Sequence, residues 1–455
     1  MINTLYLPEL RELIAAENAP ELRDFCEALH PARTAEFMEG LSSDEAWKVL
    51  RHADLALQCE IFSFFERERQ LEILVGQNRD EISLMVAELP ADDRADILAE
   101  LDQDILDEIL QKLPIEERRD YLRLSQYPEG TAGAVMTSEV AKLSAELTIE
   151  TAIMEIGRQS EQYETIYYLY VVDDDDHLLG LVSTRQLLAG MRLPSTRLSE
   201  IMETELITCN ALEDQEDVAA KVAKLDLLAI PVVDEERRML GIITHDDIID
   251  VLHEEATEDA HRIAAVNPLE QSYLKTSLIT LSWKRGIWLI VLFFFALLTA
   301  FALEQHEQKL KAWVWLSLFI PLVISSGGNS GSQSATLIIT ALSRGHIKLT
   351  DWRKVITREL AMGLMLGSLL AFMGYFTTIF FDDVHYFSYA ALVVPITLLL
   401  VVISGTLTGA VFPLVFERLG WDPAIMSNPF VAGIVDIVGI VIYMYVALLL
   451  LGNPV

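Results

Sequence analysis

Basic residues are scarce in this chain of 455 residues, which carries 34 lysines and arginines against 68 aspartates and glutamates. The imbalance is confined to residues 1–265, which hold 58 acidic and 23 basic side chains, whereas residues 266–455 hold 10 and 11. Such an acidic region repels nucleic acid and anionic lipid head groups and attracts divalent cations. We therefore expect no nucleic-acid partner. A solvated acidic surface without a ligand is the alternative.

Cysteine is also rare. Cys26, Cys59 and Cys209 are far apart and form no CxxC pair, so the sequence indicates neither a disulfide framework nor a zinc site. The chain opens without a basic segment followed by an apolar core, and we expect no cleavable signal peptide and a cytoplasmic amino-terminal half. The sequence carries no phosphate-binding loop, nucleophile motif or metalloprotease signature, so an enzyme is not expected.

A repeat with a period of 24 residues runs through residues 1–130. It forms two apolar columns, which are Leu50, Leu74, Leu98 and Leu122, and Met38, Phe62, Val86 and Leu110. Each unit contains a helix end, a short break and a new helix, which predicts an α-helical solenoid whose helical pairs bury their faces on their neighbours. Pro90 and Pro114 fit the first turn of a helix. The acids after them suit helix amino termini without any ligand.

Two copies of a mixed pattern occupy residues 131–252, each with a helix, a strand, an acidic turn, a second strand and another helix. The segments VMTSEV, YVVDDDDHLLGLVS, IMETELIT and IPVVDEERRMLGIITHDDIIDVL resemble an α/β cystathionine β-synthase (CBS) domain pair. The resemblance implies a regulatory module, which often binds adenine nucleotides through a hydroxyl residue followed three positions later by an acid. Thr244 and Asp247 fit that spacing. Gln186 takes the acid position after Ser183, so one candidate ATP site is implied.

A long acidic helix is predicted over residues 246–267. Its acids recur at three- and four-residue steps and line one face; they are Asp247, Asp250, Glu254 and Glu258, with Glu255 and Asp259 beside them. Like charges at this spacing destabilise a helix by about 0.2–0.5 kcal/mol per pair. Bound cations would remove the repulsion, so the pattern favours a metal-responsive switch over a merely solvated face. His253 and His261 are assigned no role.

Long apolar runs are concentrated after residue 268. Five predicted spans occupy residues 287–303, 312–342, 356–381, 389–416 and 428–451. The link between the second and third spans is basic, which places it, and with it the amino terminus, on the cytoplasmic side. Residues 268–455 are therefore expected to form an all-α, five-helix domain in the cell membrane, in contact with lipid.

One carboxylate, Asp436, lies nine residues into the last apolar segment. A charge at that depth costs about 2.5–3.5 kcal/mol on insertion scales, so a cation, a proton or a polar partner is expected beside it. The second span carries PLVISSGGNSGSQSAT, in which Gly327 and Gly331 permit close helix packing and neighbouring side chains supply uncharged oxygens. Asn428 and Ala432 precede Asp436 on nearly one helix face. Oxygen ligands with one carboxylate suit a hard, hydrated cation, above all Mg²⁺.

A proton relay through Asp436 is the alternative, but we expect no second intramembrane acid or histidine to continue it. A purely structural role for the glycines accounts for close packing and leaves the neighbouring asparagine and glutamine unexplained.

The order of these segments resembles the MgtE-type magnesium channels and transporters over nearly the whole chain. The resemblance is carried by EATEDAHRIAAV in the acidic helix, GGNSGSQSAT in the second span and WDPAIMSNPFVAGIVDIVG entering the fifth. It implies a homodimer that imports Mg²⁺ through a pore on its twofold axis, where Asp436 recognises the hydrated ion with the help of Asn329, Ser332, Thr336, Asn428 and Ala432. It also implies closure by cytosolic Mg²⁺ bridging acids of the solenoid, the CBS pair and the connecting (plug) helix, namely Asp92, Asp93, Asp96, Asp247, Asp250, Glu255, Glu258 and Asp259.

Selectivity stays open at this stage, because many members carry hydroxyl residues before the pore aspartate where this chain has Ala432, Gly433 and Val435. A transporter of other divalent cations such as Co²⁺ or Mn²⁺, or a proton-coupled one regulated by nucleotide at the CBS pair, is the first alternative. A signalling protein whose spans only anchor the CBS pair is the second. Polar, glycine-rich spans make poor anchors.

Overall fold

A computed structural model describes residues 5–160, 163–269, 273–274, 276–379, 389–425 and 428–452. The chain divides into two compact units, Met1–Leu252 and His253–Val455. The predicted end of the third span, at residue 381, and residues 426–427 of the motif entering the fifth lie outside the described residues.

The first unit begins with a stack of short helices. Those among the described residues up to 130 are α1 (Leu7–Ala15), α2 (Ala19–Glu27), α3 (Pro31–Met38), α4 (Ser43–Leu50), α5 (Leu55–Ser63), α6 (Arg67–Gly76), α7 (Arg79–Glu88), α8 (Ala91–Ala99), α9 (Gln103–Lys112) and α10 (Ile115–Leu124). From α3 onward, each helix packs on the helix two places later. This is the predicted solenoid.

The two apolar columns lie inside this stack. Their fully buried members are Leu50, Leu74, Leu98, Met38, Phe62 and Val86. Leu122 is an exception, with 51% of its surface exposed. It lies on α10, which no further repeat follows, so the column ends without a covering neighbour.

The two prolines lie one position earlier than expected. Pro90 and Pro114 are the N-cap residues of α8 and α10 rather than members of their first turns. The missing proline N–H is not needed there, because an N-cap residue does not donate to the helix. The acids that follow lie in the first turns as predicted, and they are Asp92, Asp93, Glu116 and Glu117.

The predicted tandem CBS copies are present in the same unit. The first contains β1 (Val140–Ser144), α11 (Ile149–Gln159), β2 (Thr165–Val172), β3 (Leu178–Ser183) and α12 (Thr184–Gly190). The second contains α13 (Leu198–Ile201), β4 (Cys209–Asn210), α14 (Gln215–Leu225), β5 (Ala229–Val233), β6 (Met239–Thr244) and α15 (His245–Ile263). In both three-stranded sheets the first pair of strands is parallel and the second antiparallel.

The solenoid and the second CBS copy share one apolar core, to which Leu98, Ile109, Val218, Ile243 and Val251 all belong. A buried guanidinium adds polar contacts at their junction. Arg94 of α8, only 1% exposed, donates to the carbonyl oxygens of Ala87 (3.0 Å) and Leu89 (2.9 Å). Its Nη2 lies 3.6 Å from Oε1 of Glu139, just before β1. The acidic first turn of α8 is thereby held in a defined place beside the CBS pair.

The acidic helix α15 ends earlier than predicted, at Ile263 rather than near residue 267. Ala265 has a φ of 58°, a left-handed conformation that interrupts a right-handed helix.

The second unit is built from long helices. They are α16 (Leu278–Glu304), the short α17 (Glu307–Ala312), α18 (Val314–Ser343), α19 (Trp352–Ile379), α20 (Ala390–Arg418) and α21 (Asn428–Leu451). Among the described residues, four candidate membrane spans are long and apolar enough to cross a bilayer, and they correspond to α16, α19, α20 and α21. The 30-residue α18 is not one of the four. Its polar centre lowers its hydropathy, and its role as the fifth span stays a prediction.

Helix α18 packs against both α20 and α21. The predicted close packing through its glycines is present. A Cβ added to Gly409 of α20 would lie 2.2 Å from the carbonyl oxygen of Gly331, and one added to Gly405 would lie 2.6 Å from that of Gly327. Glycine is required at these positions because the two helix backbones are in direct contact.

We expect Gly409→Ala to lower the unfolding temperature of the detergent-solubilised full chain, because overpacking at a backbone contact costs about 1–3 kcal/mol. The matched control is Gly286→Ala on α16, where an added Cβ meets no atom within 4 Å. Thermal unfolding followed by loss of the monodisperse chromatographic peak provides the measurement. Equal unfolding temperatures for the two variants would contradict the α18–α20 contact.

Candidate functional site

The intramembrane carboxylate lies where α18 and α21 meet. A Cβ added to Gly328 of α18 would lie 3.4 Å from both Oδ1 of Asp436 and Cβ of Ala432. Within the described residues, no hydrogen bond or ion pair reaches the Asp436 carboxylate. The glycine leaves space beside a half-buried charge that no described residue neutralises.

Three residues that were predicted to offer oxygen ligands lie in contact on α18 and α21, one turn or more away from Gly328 and Asp436. Ser332 Oγ donates to the carbonyl oxygen of Asn428 (3.1 Å), and Thr336 Oγ1 lies 3.0 Å from Oδ1 of Asn428. These contacts bring Ser332, Thr336 and Asn428 together at the start of α21. Asn329 is not part of this group. It is exposed, and its Nδ2 donates to Ser325 Oγ on the preceding turn of α18 (3.2 Å).

Two of the positions that lack the family's hydroxyl residues face neighbouring helices. Val435 is 1% exposed and packs against Gly327 and Gly331. A Cβ added to Gly433 would lie 3.2 Å from Cβ of Phe295 on α16. The absent hydroxyls at these two positions are therefore replaced by helix-packing contacts.

A second acid lies within the candidate spans, and no hydrogen bond between described residues links it to Asp436. Glu359 is the eighth residue of α19 and lies inside a candidate span, Leu349–Ile379. Its Oε2 accepts a hydrogen bond from Ser334 Oγ of α18 (2.7 Å). The predicted span of residues 356–381 already included this glutamate, so the sequence alone could have identified it as an intramembrane acid.

A second group of acids lies in the first unit, between the start of α8 and the start of α15. Asp247 and Glu164 repel Asp92, and Asp250 and Asp246 repel Asp93. Asp92 Oδ1 is buried and has no hydrogen-bond partner among the described residues. Three acids whose charges repel members of this group were not identified from the sequence, namely Glu139, Glu164 and Asp246. Asp96 lies exposed on the next turn of α8.

Burial and mutual repulsion raise the pKa values of four acids in this group, Asp92, Asp93, Glu164 and Asp247. Loss of water raises the pKa of Glu164 to about 7, with Asp247 as the strongest neighbouring charge. Burial likewise raises the pKa of Asp247 to about 6 and that of Asp92 well above its usual value. Each carboxylate is held in a place where a proton or a cation is favoured.

The candidate nucleotide pair is part of the same group. Thr244 Oγ1 lies 2.6 Å from Oδ2 of Asp247, which also accepts from the Thr244 backbone N–H (3.1 Å). In the first copy, the Ser183 N–H donates to Oε1 of Gln186 (2.7 Å). The two copies share one geometry, but only the second has a carboxylate at the position three residues after the hydroxyl.

A further acidic group surrounds Arg262 in the second unit. The guanidinium pairs with Glu258 of the same helix and with Asp422, which follows α20. Burial and the charge of Asp422 raise the pKa of Asp259. The sequence argument predicted Glu258 and Asp259 but missed Asp422, because its place beside α15 depends on chain folding. Glu255 is half-buried on α15.

Among the described residues, no three His, Cys, Asp or Glu side chains are already arranged to hold a metal ion. The acids described above lie close enough to repel one another, but not in a geometry that would coordinate a bare metal ion. An ion that keeps several of its waters, as Mg²⁺ usually does, fits such open groups.

We expect the stability of the protein to fall as pH rises from about 5 to about 8. Glu164 has a higher pKa folded than unfolded, so the folded state binds more protons between the usual glutamate pKa and about 7. The free energy of unfolding should therefore fall by on the order of 2 kcal/mol across that window, and this fall is absent at lower pH. Thermal unfolding of the full chain measures it. Glu164→Gln should flatten the dependence, whereas Glu150→Gln, at an exposed acid on α11, should not; parallel profiles for all three proteins would overturn the assignment.

The sequence matches three known protein families. Residues 320–446 match the MgtE family described as a divalent cation transporter, residues 29–130 match the MgtE intracellular N domain, and residues 132–192 and 198–254 match the CBS domain.

Relatives match along almost the full length. The magnesium transporter MgtE of Thermus thermophilus is 35% identical over 97% of this chain and 98% of its own. That of Bacillus subtilis is 30% identical over 94% of each.

Two solved structures resemble about half of the chain. The soluble part of a magnesium transporter is 31% identical with a TM-score of 0.51, covering 55% of this chain and 97% of that one. The cytosolic domain of the Mg²⁺ channel MgtE in complex with ATP is 32% identical with a TM-score of 0.50, covering 53% and 98%. The family match and the apolar helices identify this chain as a multi-pass membrane protein. Its identity to full-length relatives shows that the chain belongs to the MgtE family.

Proposed function

We propose that this protein imports Mg²⁺ across the cytoplasmic membrane and is a transporter rather than an enzyme. The observation that carries the proposal is the Asp436 carboxylate, which lies among apolar helices without a partner in the described part of the chain. A charge in such a position is stable only when something neutralises it. The names of the full-length relatives support Mg²⁺ as that partner.

The chemistry beside Asp436 suits a hydrated divalent ion. The described site offers one carboxylate, the amide and carbonyl of Asn428, and the hydroxyls of Ser332 and Thr336, with no thiol or imidazole. Mg²⁺ gives up its water reluctantly and binds through few carboxylates, so this site can hold it through its water shell. Ala432 and Gly328 provide the space, and Asn329 remains a proposed helper on the exposed face of α18.

We infer a homodimer whose two Asp436 carboxylates face a common pore on the twofold axis. A single carboxylate neutralises half of a divalent charge, and a second copy supplies the rest. The outer helix α16 leaves large apolar side chains exposed, including Phe293, Phe294 and Phe301, which lipid or the second copy would cover. The basic link after α18 supports a cytoplasmic amino terminus, and the localisation is the cytoplasmic (inner) membrane.

Cytosolic Mg²⁺ closes the pore in this proposal by neutralising the acidic groups. Support comes from the buried Oδ1 of Asp92, which has no hydrogen-bond partner among the described residues, and from the repulsion among Asp92, Asp93, Asp247 and Glu164. Without the ion, these charges favour separation of α8 from α15. With it, they favour closure. Asp250, Asp96 and Glu255, and the group formed by Glu258, Asp259 and Asp422, are proposed as further sensing positions.

Adenine nucleotide is the proposed second ligand of the CBS pair. The Thr244–Asp247 pair has the expected spacing, and Thr244 donates both its backbone N–H and its hydroxyl to the Asp247 carboxylate. A similar cytosolic domain has been solved with ATP. Because Asp247 also belongs to the cation-sensing group, nucleotide and Mg²⁺ would act on one carboxylate.

Asp436→Asn should lower Mg²⁺ uptake into liposomes by at least about 100-fold, because leaving a desolvated charge without its partner costs about 3–5 kcal/mol. Fluorescent Mg²⁺ indicator trapped in the vesicles measures the flux. Asp351→Asn, at a partly exposed acid before α19, is the charge control and should keep wild-type flux. Undiminished uptake by the Asp436→Asn variant would reject the pore assignment, and a requirement for a proton gradient or a preference for Co²⁺ or Mn²⁺ would favour the alternative transporter.

The double variant Asp92→Asn, Asp247→Asn should stay open at cytosolic Mg²⁺ concentrations that close the wild-type channel. We expect the half-inhibiting concentration to rise at least tenfold, equivalent to about 1.4 kcal/mol of lost preference for the closed state. Patch recordings with Mg²⁺ varied on the cytosolic side, with and without ATP, measure this shift. Asp104→Asn on the exposed surface of α9 should leave inhibition unchanged, and equal inhibition of all three proteins rules out the sensor.

A further inference from the structure

Glu359 is an acid within the membrane helices that the transport function has not yet used. Its carboxylate lies at the junction of three helices rather than beside Asp436. Ser334 Oγ of α18, on a side chain that is 3% exposed, lies 2.7 Å from Glu359 Oε2 and 2.9 Å from the carbonyl oxygen of Thr406 on α20. Thr406 Oγ1 in turn lies 3.3 Å from the backbone oxygen of Glu359.

The Ser334 hydroxyl carries one proton and has two acceptors within reach. A charged carboxylate is the stronger acceptor, and hydrogen bonds to charged groups are about twice as strong as those between neutral groups. The Ser334–Glu359 hydrogen bond is therefore the stronger of these two contacts, and it joins α18 to α19. The buried surroundings of Ser334 exclude water that would otherwise compete for it.

The same short segment of α18 is attached on its opposite side to α21. Ser332 and Thr336 contact Asn428, while Ser334 lies between them in sequence and about 200° around the helix from Ser332. One face of the segment therefore contacts the proposed pore, and the other faces the junction with α19 and α20.

Helix α18 packs through small residues in this region. Gly327 and Gly331 lie in close backbone contact with Gly405 and Gly409 of α20. These contacts fix the distance between the helices, and the hydrogen bonds of Ser334 add a directional constraint on the rotation of α18.

We propose that Glu359 is a positioning residue for ion passage. By accepting the Ser334 hydroxyl it sets the rotation of α18, so that Ser332 and Thr336 meet Asn428 and Gly328 lies beside Asp436. Glu359 acts through Ser334 and does not touch the ion. The inference rests on the proposed pore along α18 and α21.

The test is Mg²⁺ flux through the reconstituted full chain. Ser334→Ala and Glu359→Ala should each lower maximal flux about tenfold, and the double variant should be no lower than either single one, because both remove the same bond. Glu359→Gln should retain at least about half of wild-type flux, since the glutamine amide oxygen accepts the same hydroxyl without the charge. Flux is normalised to monodisperse protein, so a mere loss of folded channel is separated from a loss of flux per channel.

The controls lie on the same helices. Ser317→Ala removes an exposed α18 hydroxyl that bonds to Val314 of its own helix, and Glu417→Ala removes an exposed acid near the end of α20. Both should keep wild-type flux.

If Glu359→Gln is as impaired as Glu359→Ala, the charge itself acts on the ion and the positioning role is overturned. Wild-type flux in Ser334→Ala overturns it as well, and so does additive loss in the double variant. The pore proposal fails separately, when the Asp436→Asn variant still carries Mg²⁺.

Discussion

The charge of Asp436, which no described residue neutralises, is the constraint on which the membrane unit depends. Apolar helices surround it, and a side chain at Gly328 would occupy the space beside its carboxylate. The close α18–α20 contact through Gly327, Gly331, Gly405 and Gly409 holds α18 against its neighbours. In this arrangement α18 and α20 pack through backbone contacts, and the proposed path of a water-clad ion follows the face of α18 that carries Gly328, Ser332 and Thr336.

The acids of the first unit are subject to the same cost of burying a charge. These acids are brought together by an apolar core shared between the solenoid and the second CBS copy, and by the buried Arg94. Burial raises the free energy of each ionised carboxylate, as the raised pKa values of Glu164 and Asp247 indicate. A cation in solution would stabilise the closed arrangement of this unit, just as a passing ion would stabilise Asp436.

Much of the fold could be read from the sequence. The 24-residue columns predicted the solenoid, and Leu122 failed only because it ends the stack. At the sites, the structure brings Ser332, Thr336 and Asn428 into contact, whereas Asn329 donates to Ser325 on its own helix. Glu164 and Asp422 were missed because each meets its partners across long stretches of sequence, whereas Glu359 was overlooked inside a span that the sequence had predicted. No spacing rule relates residues that are joined only by packing.

By itself the sequence determined the order of domains, the element types, the depth of Asp436 and the acidic face of α15, since periodicity and charge are properties of neighbouring residues. The tertiary structure alone decided which acids repel each other, which face of α18 contacts α21 and which is attached to Glu359. Those choices depend on how helices distant in sequence pack, because burial and direct contact, not composition, set the energy of a carboxylate.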